Sequence, residues 1–137
     1  MKAALDYLGE IFNMKIDVRP FSKREQDAMP LYIGVRYKLA ETFLNKERIC
    51  MAELKGNELP TPAQLKKHQE IIVGKLDCPV VFVLDRIESY IRNRLIQQKI
   101  DFVIHDKQIF LPSLLINLKE YQVPKPLGKK KLQPAAQ

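Results

Sequence analysis

The sequence predicts an α/β domain in which helices flank a mixed β-sheet on both sides, giving three layers. Predicted strands and helices alternate along the chain, as is usual in such domains. The continuous apolar run at residues 80–84 (VVFVL) is typical of a strand covered on both faces. Residues 80–104 follow the pattern strand, helix, strand, which predicts a right-handed crossover and a parallel strand pair.

The first part of the chain contributes a helix, a short strand and a hairpin. Residues 2–12 carry apolar side chains at helical spacing, which predicts a short amphipathic helix. Residues 14–19 alternate apolar and polar side chains, which predicts a short strand. Two mixed runs at 36–43 and 48–54 flank a turn around Asn45 and predict a hairpin, since asparagine tolerates left-handed geometry.

The clearest helix start lies after the hairpin. Thr61 can cap free backbone N–H groups, Pro62 suits the first helical position, and Gln64 can complete a capping box. We expect this helix to end near Val73, with Gly74 as its C-terminal stop.

A second helix and two further strands follow. Asp85 and Glu88 have capping-box spacing and predict a helix that runs to about Gln98. Residues 100–104 predict a strand, and residues 108–111 predict a returning strand after a tight turn. The apolar side chains on one stripe of the helix predict its buried face: Ile87, Ile91 and Leu95.

The composition favours one folded domain without a membrane span. The chain has 137 residues, of which 46% are apolar, enough to build its own core. Apolar runs stay well short of the ~20 residues that span a bilayer, and the N-terminus lacks a signal-peptide pattern. Cys50 and Cys78 are too few for a disulfide framework or a closed zinc site. We therefore expect a cytoplasmic protein with no metal or other cofactor.

The formal charge of +7 is concentrated near the C-terminus. Residues 121–137 contain four lysines and no acid, so subtracting four from +7 leaves +3 for residues 1–120. We expect an α/β domain at 1–122 and a basic linker at 123–137, which is rich in Pro, Gly and Lys. The linker is either solvated or in direct contact with nucleic-acid phosphates through its lysines. These are Lys125, Lys129, Lys130 and Lys131.

One short motif keeps an enzymatic alternative open. Glu53-Leu54-Lys55 has the E-x-K spacing of restriction-endonuclease-like nucleases, in which the carboxylate holds Mg²⁺ and the lysine steadies the attacking water. Glu41 is the nearest acid able to supply a second carboxylate. In this alternative the chain is an active or degenerate nuclease. For the sheet itself two arrangements stay open, a restriction-endonuclease-like sheet or half of a Rossmann-like one. The simpler interpretation is an exposed strand end, and we predict no catalytic residue.

The other polar side chains predict structural roles. His68 lies among polar neighbours in the first long helix and is expected to face solvent, and His105 is expected in a turn. Arg92 and Arg94 are two positions apart and point to different sides of the second helix. We therefore expect a solvated face there rather than a compact basic patch. The remaining cations of this region are Arg86 and Lys99.

Residues 79–120 resemble the N-terminal region of a bacterial family of MarR-like, winged-helix transcriptional regulators. That family has a PVVFVF strand, a Y-x-R-x-R-L-I helix, an I-x-F-I-V strand and a K-Q-x-F-L-P hairpin. The matching residues here are Val80–Leu84, Tyr90–Ile96, Ile100–Ile104 and Lys107–Pro112. The segment MPLYIGVRY, with Arg36 and Tyr37, looks like the family's L-P-L-x-x-x-x-R-Y. LQPAAQ, at residues 132–137, is similar to the L-S-P-A-A-Q that opens its DNA-binding domain.

The resemblance implies a non-enzymatic sensing or interaction domain of a transcriptional regulator. DNA is then bound by a C-terminal winged-helix domain absent from these 137 residues, and a homodimer is compatible with this arrangement. We place the partner contact at the KQIFLP hairpin, because Ile109 and Phe110 are apolar close to a predicted sheet edge. The alternative is that both side chains belong to the core.

Overall fold

The computed structural model describes residues 2–44, 46–56, 58–104 and 108–112, and it confirms the predicted α/β class. Five strands form one mixed sheet in the order β1-β2-β3-β4-β5. The strands are β1 (Tyr37–Leu44), β2 (Glu47–Leu54), β3 (Val80–Leu84), β4 (Phe102–Ile104) and β5 (Gln108–Phe110). The two outer pairs are antiparallel, and the pairs β2–β3 and β3–β4 are parallel.

Five helices accompany the sheet in the described ranges. They are α1 (Lys2–Phe12), α2 (Lys23–Ala28), α3 (Leu31–Arg36), α4 (Pro62–Leu76) and α5 (Ser89–Gln97). The parallel pairs require the crossover helices α4 and α5, because a tight turn cannot join parallel strands.

The sheet is covered on both faces, which confirms the predicted three layers. Alternate strand residues point to opposite faces, and they fall into two separate apolar clusters. On one face Phe82 packs with Leu65 of α4 and Leu95 of α5. On the other face Val81 packs with Leu8 of α1. Double coverage accounts for β3, in which every residue is buried.

The predicted helix starts differ in outcome. The capping box at Thr61 and Gln64 is present in full. The helix does not stop at Gly74, however, but continues to Leu76 and ends at Asp77, which takes the left-handed conformation (φ 54°). The prediction that α5 opens at Asp85 is also wrong: its N-cap is Glu88, whose side chain makes no capping hydrogen bond.

The N-terminal third also departs from its prediction. Residues 14–19 do not form a strand, and their regular pairing is a single bridge between Arg19 and Glu41 of β1. The helices α2 and α3 were not predicted from the sequence. For α2 a signal was present, because Ser22 and Glu25 have capping-box spacing, and the Ser22 side chain accepts a hydrogen bond from the Glu25 backbone N–H.

Several predictions lie outside the described residues. These include the basic linker at 123–137 with its four lysines, the turn between β4 and β5, and His105. Within the described ranges, no helix combines the length and apolar character that crossing a membrane requires.

Candidate interaction surface

The short helix α3 presents three apolar side chains to solvent. Leu31 is 83% exposed, Val35 63% and Tyr32 46%. Leu31 and Val35 are one helical turn apart and therefore share a side of the helix. Large apolar side chains exposed next to one another mark contact surfaces more often than isolated ones do. We call Leu31, Tyr32 and Val35 the α3 surface.

Backbone contacts hold α3 in place without a side-chain cap. The N–H groups of Ile33 and Gly34 donate to the carbonyl of Pro30 at 3.0 and 3.3 Å. At the other end the N–H of Tyr37 donates to the Ile33 carbonyl, and Tyr37 is already the first residue of β1. Because the helix leads directly into the sheet and Ile33 is fully buried, its position is fixed and its outer side stays exposed.

A buried aromatic cluster lies beneath the α3 surface. The Tyr37 hydroxyl and His68 Nδ1 of α4 are 2.7 Å apart. The Tyr32 ring lies 5.9 Å from the His68 ring, and Tyr37 packs on Phe82 at 5.4 Å. The prediction that His68 faces solvent is wrong, since its exposed fraction is 6%. The polar residues beside His68 in the chain suggested an exposed position, but one of them, Gln69, is buried as well.

Burial sets the protonation of this cluster. It lowers the pKa of His68, with smaller contributions from the nearby cations Arg36 and Lys67, and it raises the pKa of Tyr37. Tyr37 therefore stays protonated and the imidazole stays neutral, and the hydroxyl and Nδ1 share one hydrogen bond whose donor is set by the imidazole tautomer. The resulting hydrogen bond ties the end of α3 to α4.

Cationic side chains border the α3 surface. Arg36 is the last residue of α3, and the Lys55 ammonium donates to the Gly34 carbonyl at 2.9 Å. Lys67 lies on α4, close enough to His68 for its positive charge to disfavour protonation of the imidazole. The α3 surface is thus an apolar strip with positive charge beside it.

An ion-pair network anchors the chain before α3. Glu41 of β1 accepts a hydrogen bond from Arg19 Nε at 2.7 Å, and its other oxygen lies 2.6 Å from Arg48 Nε. The second contact is an ion pair without hydrogen-bond alignment. In the described part of the chain, the buried N–H group of Arg48 Nε therefore has no hydrogen-bond acceptor. Arg48 Nη2 donates to Glu25 Oε2 of α2 at 2.5 Å. This hydrogen bond holds the pKa of Glu25 below its usual value.

The structure does not bring together the carboxylates of the nuclease alternative. Glu41 lies opposite Cys50, three positions before Glu53 on β2. An odd offset places Glu41 and Glu53 on opposite faces of the sheet, roughly 10 Å apart along the strand. Both Glu41 oxygens contact arginines, and Lys55 contacts Gly34. Among the described residues, no three His, Cys, Asp or Glu side chains are grouped as metal ligands.

The predicted partner contact at Ile109 and Phe110 is half-buried. Phe110 packs against the cluster that contains Phe82, and its ring centroid lies 5.8 Å from that of Phe102. Ile109 packs against the cluster on the opposite face of the sheet. β5 therefore contributes to both cores, which is the alternative that the sequence left open, and its part in a partner contact stays a prediction.

Both cysteines lie in one core cluster. Cys50 and Cys78 are buried free thiols packed on the same face of the sheet. Burial raises the pKa of both, that of Cys78 to about 11. They are therefore protonated packing residues near neutral pH.

The sequence contained little to reveal the α3 surface. Its residues are apolar, so a composition-based analysis assigns them to the core, and a helix of six residues is too short to show a clear hydrophobic stripe.

Comparison of the chain with protein-family models, with curated proteins and with solved structures found no match.

Proposed function

We propose that this chain is a non-enzymatic interaction domain that docks a partner protein through the α3 surface. The observation that carries the proposal is the exposure of Leu31, Tyr32 and Val35 on a helix held rigidly against the sheet. A surface that is already in place loses little conformational entropy on binding, which favours affinity.

The border of the surface specifies the partner's chemistry. Arg36 and Lys55 lie on or against α3, and Lys67 lies near His68 beneath it. The complementary segment therefore carries apolar side chains flanked by Asp or Glu. A rim of charges mainly selects the partner and speeds the encounter, and the apolar centre provides most of the affinity. We therefore expect an acidic, amphipathic partner segment.

The resemblance to MarR-like regulators extends the proposal. It covers α3 itself, within MPLYIGVRY, and the elements β3, α5, β4 and β5. We infer an N-terminal domain of a transcriptional regulator that binds DNA through a winged-helix domain outside these 137 residues. The free buried thiols of Cys50 and Cys78 support a cytoplasmic location, where thiols stay reduced.

A random peptide library displayed on phage and selected against the full chain tests the docking surface. We expect selected peptides to combine apolar residues with Asp or Glu, and to lose at least tenfold in affinity against Leu31→Ser/Val35→Ser. The control is Ile11→Ser, which changes an exposed apolar residue of α1 and should leave affinity unchanged.

Three results would overturn the docking proposal. One is a library that yields no binder, and another is a set of peptides insensitive to Leu31→Ser/Val35→Ser. The third is a sedimentation experiment in which the chain dimerises and Leu31→Ser/Val35→Ser abolishes the dimer, since a second copy would then occupy the surface.

The inferred regulator has its own test, the intact mass of the native product. A mass above 15.9 kDa, with a winged helix in the added sequence, supports it, and a product ending at Gln137 contradicts it.

A further inference from the structure

Two arginines line one small cavity at the carboxyl ends of the parallel strands β3 and β4. The cavity has a volume of about 170 Å³ and is lined by Arg86, Ile87, Arg92, Ile104 and Gln108. Leu84 and Ile104, the last residues of β3 and β4, are paired in register. The cavity therefore lies at the carboxyl end of the parallel part of the sheet.

The late start of α5 explains why both arginines line one cavity. Residues 86–88 are not helical, so the connection after β3 carries Arg86 to the cavity independently of the helix. Arg92 reaches the same cavity from α5. A helix starting at Asp85, as the sequence predicted, would have placed the side chains of residues 86 and 92 about 120° apart around one axis, on different sides.

The lining of the cavity suits an oxyanion. Among the described residues of the lining, both charged ones are cations; Asp85, which precedes Arg86, is not one of them and has an interaction of its own. Arg92 Nη1 donates to Gln108 Oε1 at 3.4 Å, a long contact that orients the guanidinium and involves one of its five N–H donors. Ile87 and Ile104 supply apolar walls, and a lower local dielectric strengthens the attraction between charges.

We propose that Arg86 and Arg92 bind a phosphate group at this position. Guanidinium groups match the oxygen geometry of phosphate and donate two parallel hydrogen bonds to it. The volume is below the roughly 300 Å³ at which pockets for drug-sized ligands begin, so the cavity takes the phosphate group and leaves any larger part of the ligand outside. The site is separate from the α3 surface and does not depend on the docking proposal.

Titration of the ¹⁵N-labelled full chain with inorganic phosphate, at constant ionic strength set by chloride, tests the site. We expect saturable shifts of the Nε–Hε signals of Arg86 and Arg92. Arg86→Gln and Arg92→Gln should each weaken binding at least tenfold. Arg94→Gln is the matched control, because it removes an exposed arginine of the same helix. The control also accounts for the diffuse attraction of phosphate to the lysines of residues 121–137, which all three variants retain.

Linear, non-saturable shifts, or equal weakening in Arg94→Gln, would overturn the proposal. If Arg86→Gln loses binding and also has a lower unfolding midpoint, Arg92→Gln decides. Weak phosphate binding by Arg92→Gln at an unchanged midpoint supports the site, and any other result for that variant overturns the proposal. A second titration distinguishes the source of the phosphate. Displacement by a short single-stranded oligonucleotide identifies a nucleic-acid backbone, and its absence identifies free phosphate or a monoester; both outcomes support the site.

Discussion

Glu41 joins three parts of the chain through its two carboxylate oxygens. One oxygen contacts Arg19 of the segment before α2, and the other contacts Arg48, which in turn holds Glu25 of α2. The Arg48 guanidinium also lies 4.9 Å from the Phe21 ring centroid, so its charge is partly shielded from water. A half-buried cation of this kind is stable only while its carboxylate remains.

We therefore predict that Glu41→Gln lowers the free energy of unfolding by about 2 kcal/mol, because it leaves the Arg48 charge partly buried without its full counter-charge. Urea unfolding followed by circular dichroism measures the loss. Glu70→Gln, at an exposed position on α4, is the control and should change the value by less than about 0.5 kcal/mol. Equal losses in the two variants would show that Glu41 is an ordinary surface acid.

His68 makes the stability depend on pH. Its pKa in the folded chain is lowered, so the unfolded chain binds the proton more readily, and stability falls as the pH drops below the ordinary histidine value of about 6.5. We predict a smaller loss between about pH 7.5 and about pH 5.5 in His68→Asn, whose amide can accept the Tyr37 hydrogen bond without titrating. Urea midpoints at both pH values measure this. Retention of the full loss in His68→Asn, with its disappearance in His105→Asn, would assign the effect to the other histidine.

At the scale of the helix, Gly74 gives the sharpest test of α4. It lies inside the helix, and a methyl group added at its Cα would have no other atom within 4 Å. Gly74→Ala should therefore stabilise the chain by about 0.5–1 kcal/mol through helix propensity. Gly56→Ala is the contrasting variant, because Gly56 has φ +76°, where alanine is strained and should cost about 1 kcal/mol. Thermal unfolding of both variants measures the two signs, and a destabilising Gly74→Ala would place the end of the helix at Gly74 instead of Asp77.

The helices also show what local sequence can and cannot specify. The start of α4 was predictable because Thr61 and Gln64 satisfy free backbone groups within one turn. The same spacing at Asp85 and Glu88 was misleading, because the chain turns after β3 before α5 begins. The end of α4 was also misassigned: glycine permits a stop but does not require one, and Asp77 takes the left-handed conformation instead.

The whole molecule depends on the centre of its sheet. Phe82 is fully buried on β3 and packs on Tyr37, whereas Phe43 of β1 is 45% exposed. We predict that Phe82→Ala costs about 3–5 kcal/mol, a large part of the roughly 5–15 kcal/mol typical of a domain. Phe43→Ala should cost less than about 1 kcal/mol. Urea unfolding compares them, and similar losses would contradict the three-layer core.

At this scale the sheet was more predictable than the surface. The apolar run of β3 specifies coverage on both faces. Each end of the two hairpin strands was predicted to within one residue. The exposure of Leu31 and Val35 was not predictable, because exposure depends on which elements pack nearby in space. The presence of Arg86 and Arg92 in the lining of one cavity likewise depends on the path of the chain between β3 and α5.

The order of strands in the sheet, which repeats their order in the chain, has a consequence for biosynthesis. Each strand after the first pairs with the strand that precedes it in the chain. No strand therefore depends on a partner from a much later part of the sequence. The hairpin can form first, and each later strand adds to an existing edge once its crossover has left the ribosome. We expect folding to begin during translation, with few exposed edges open to wrong pairing.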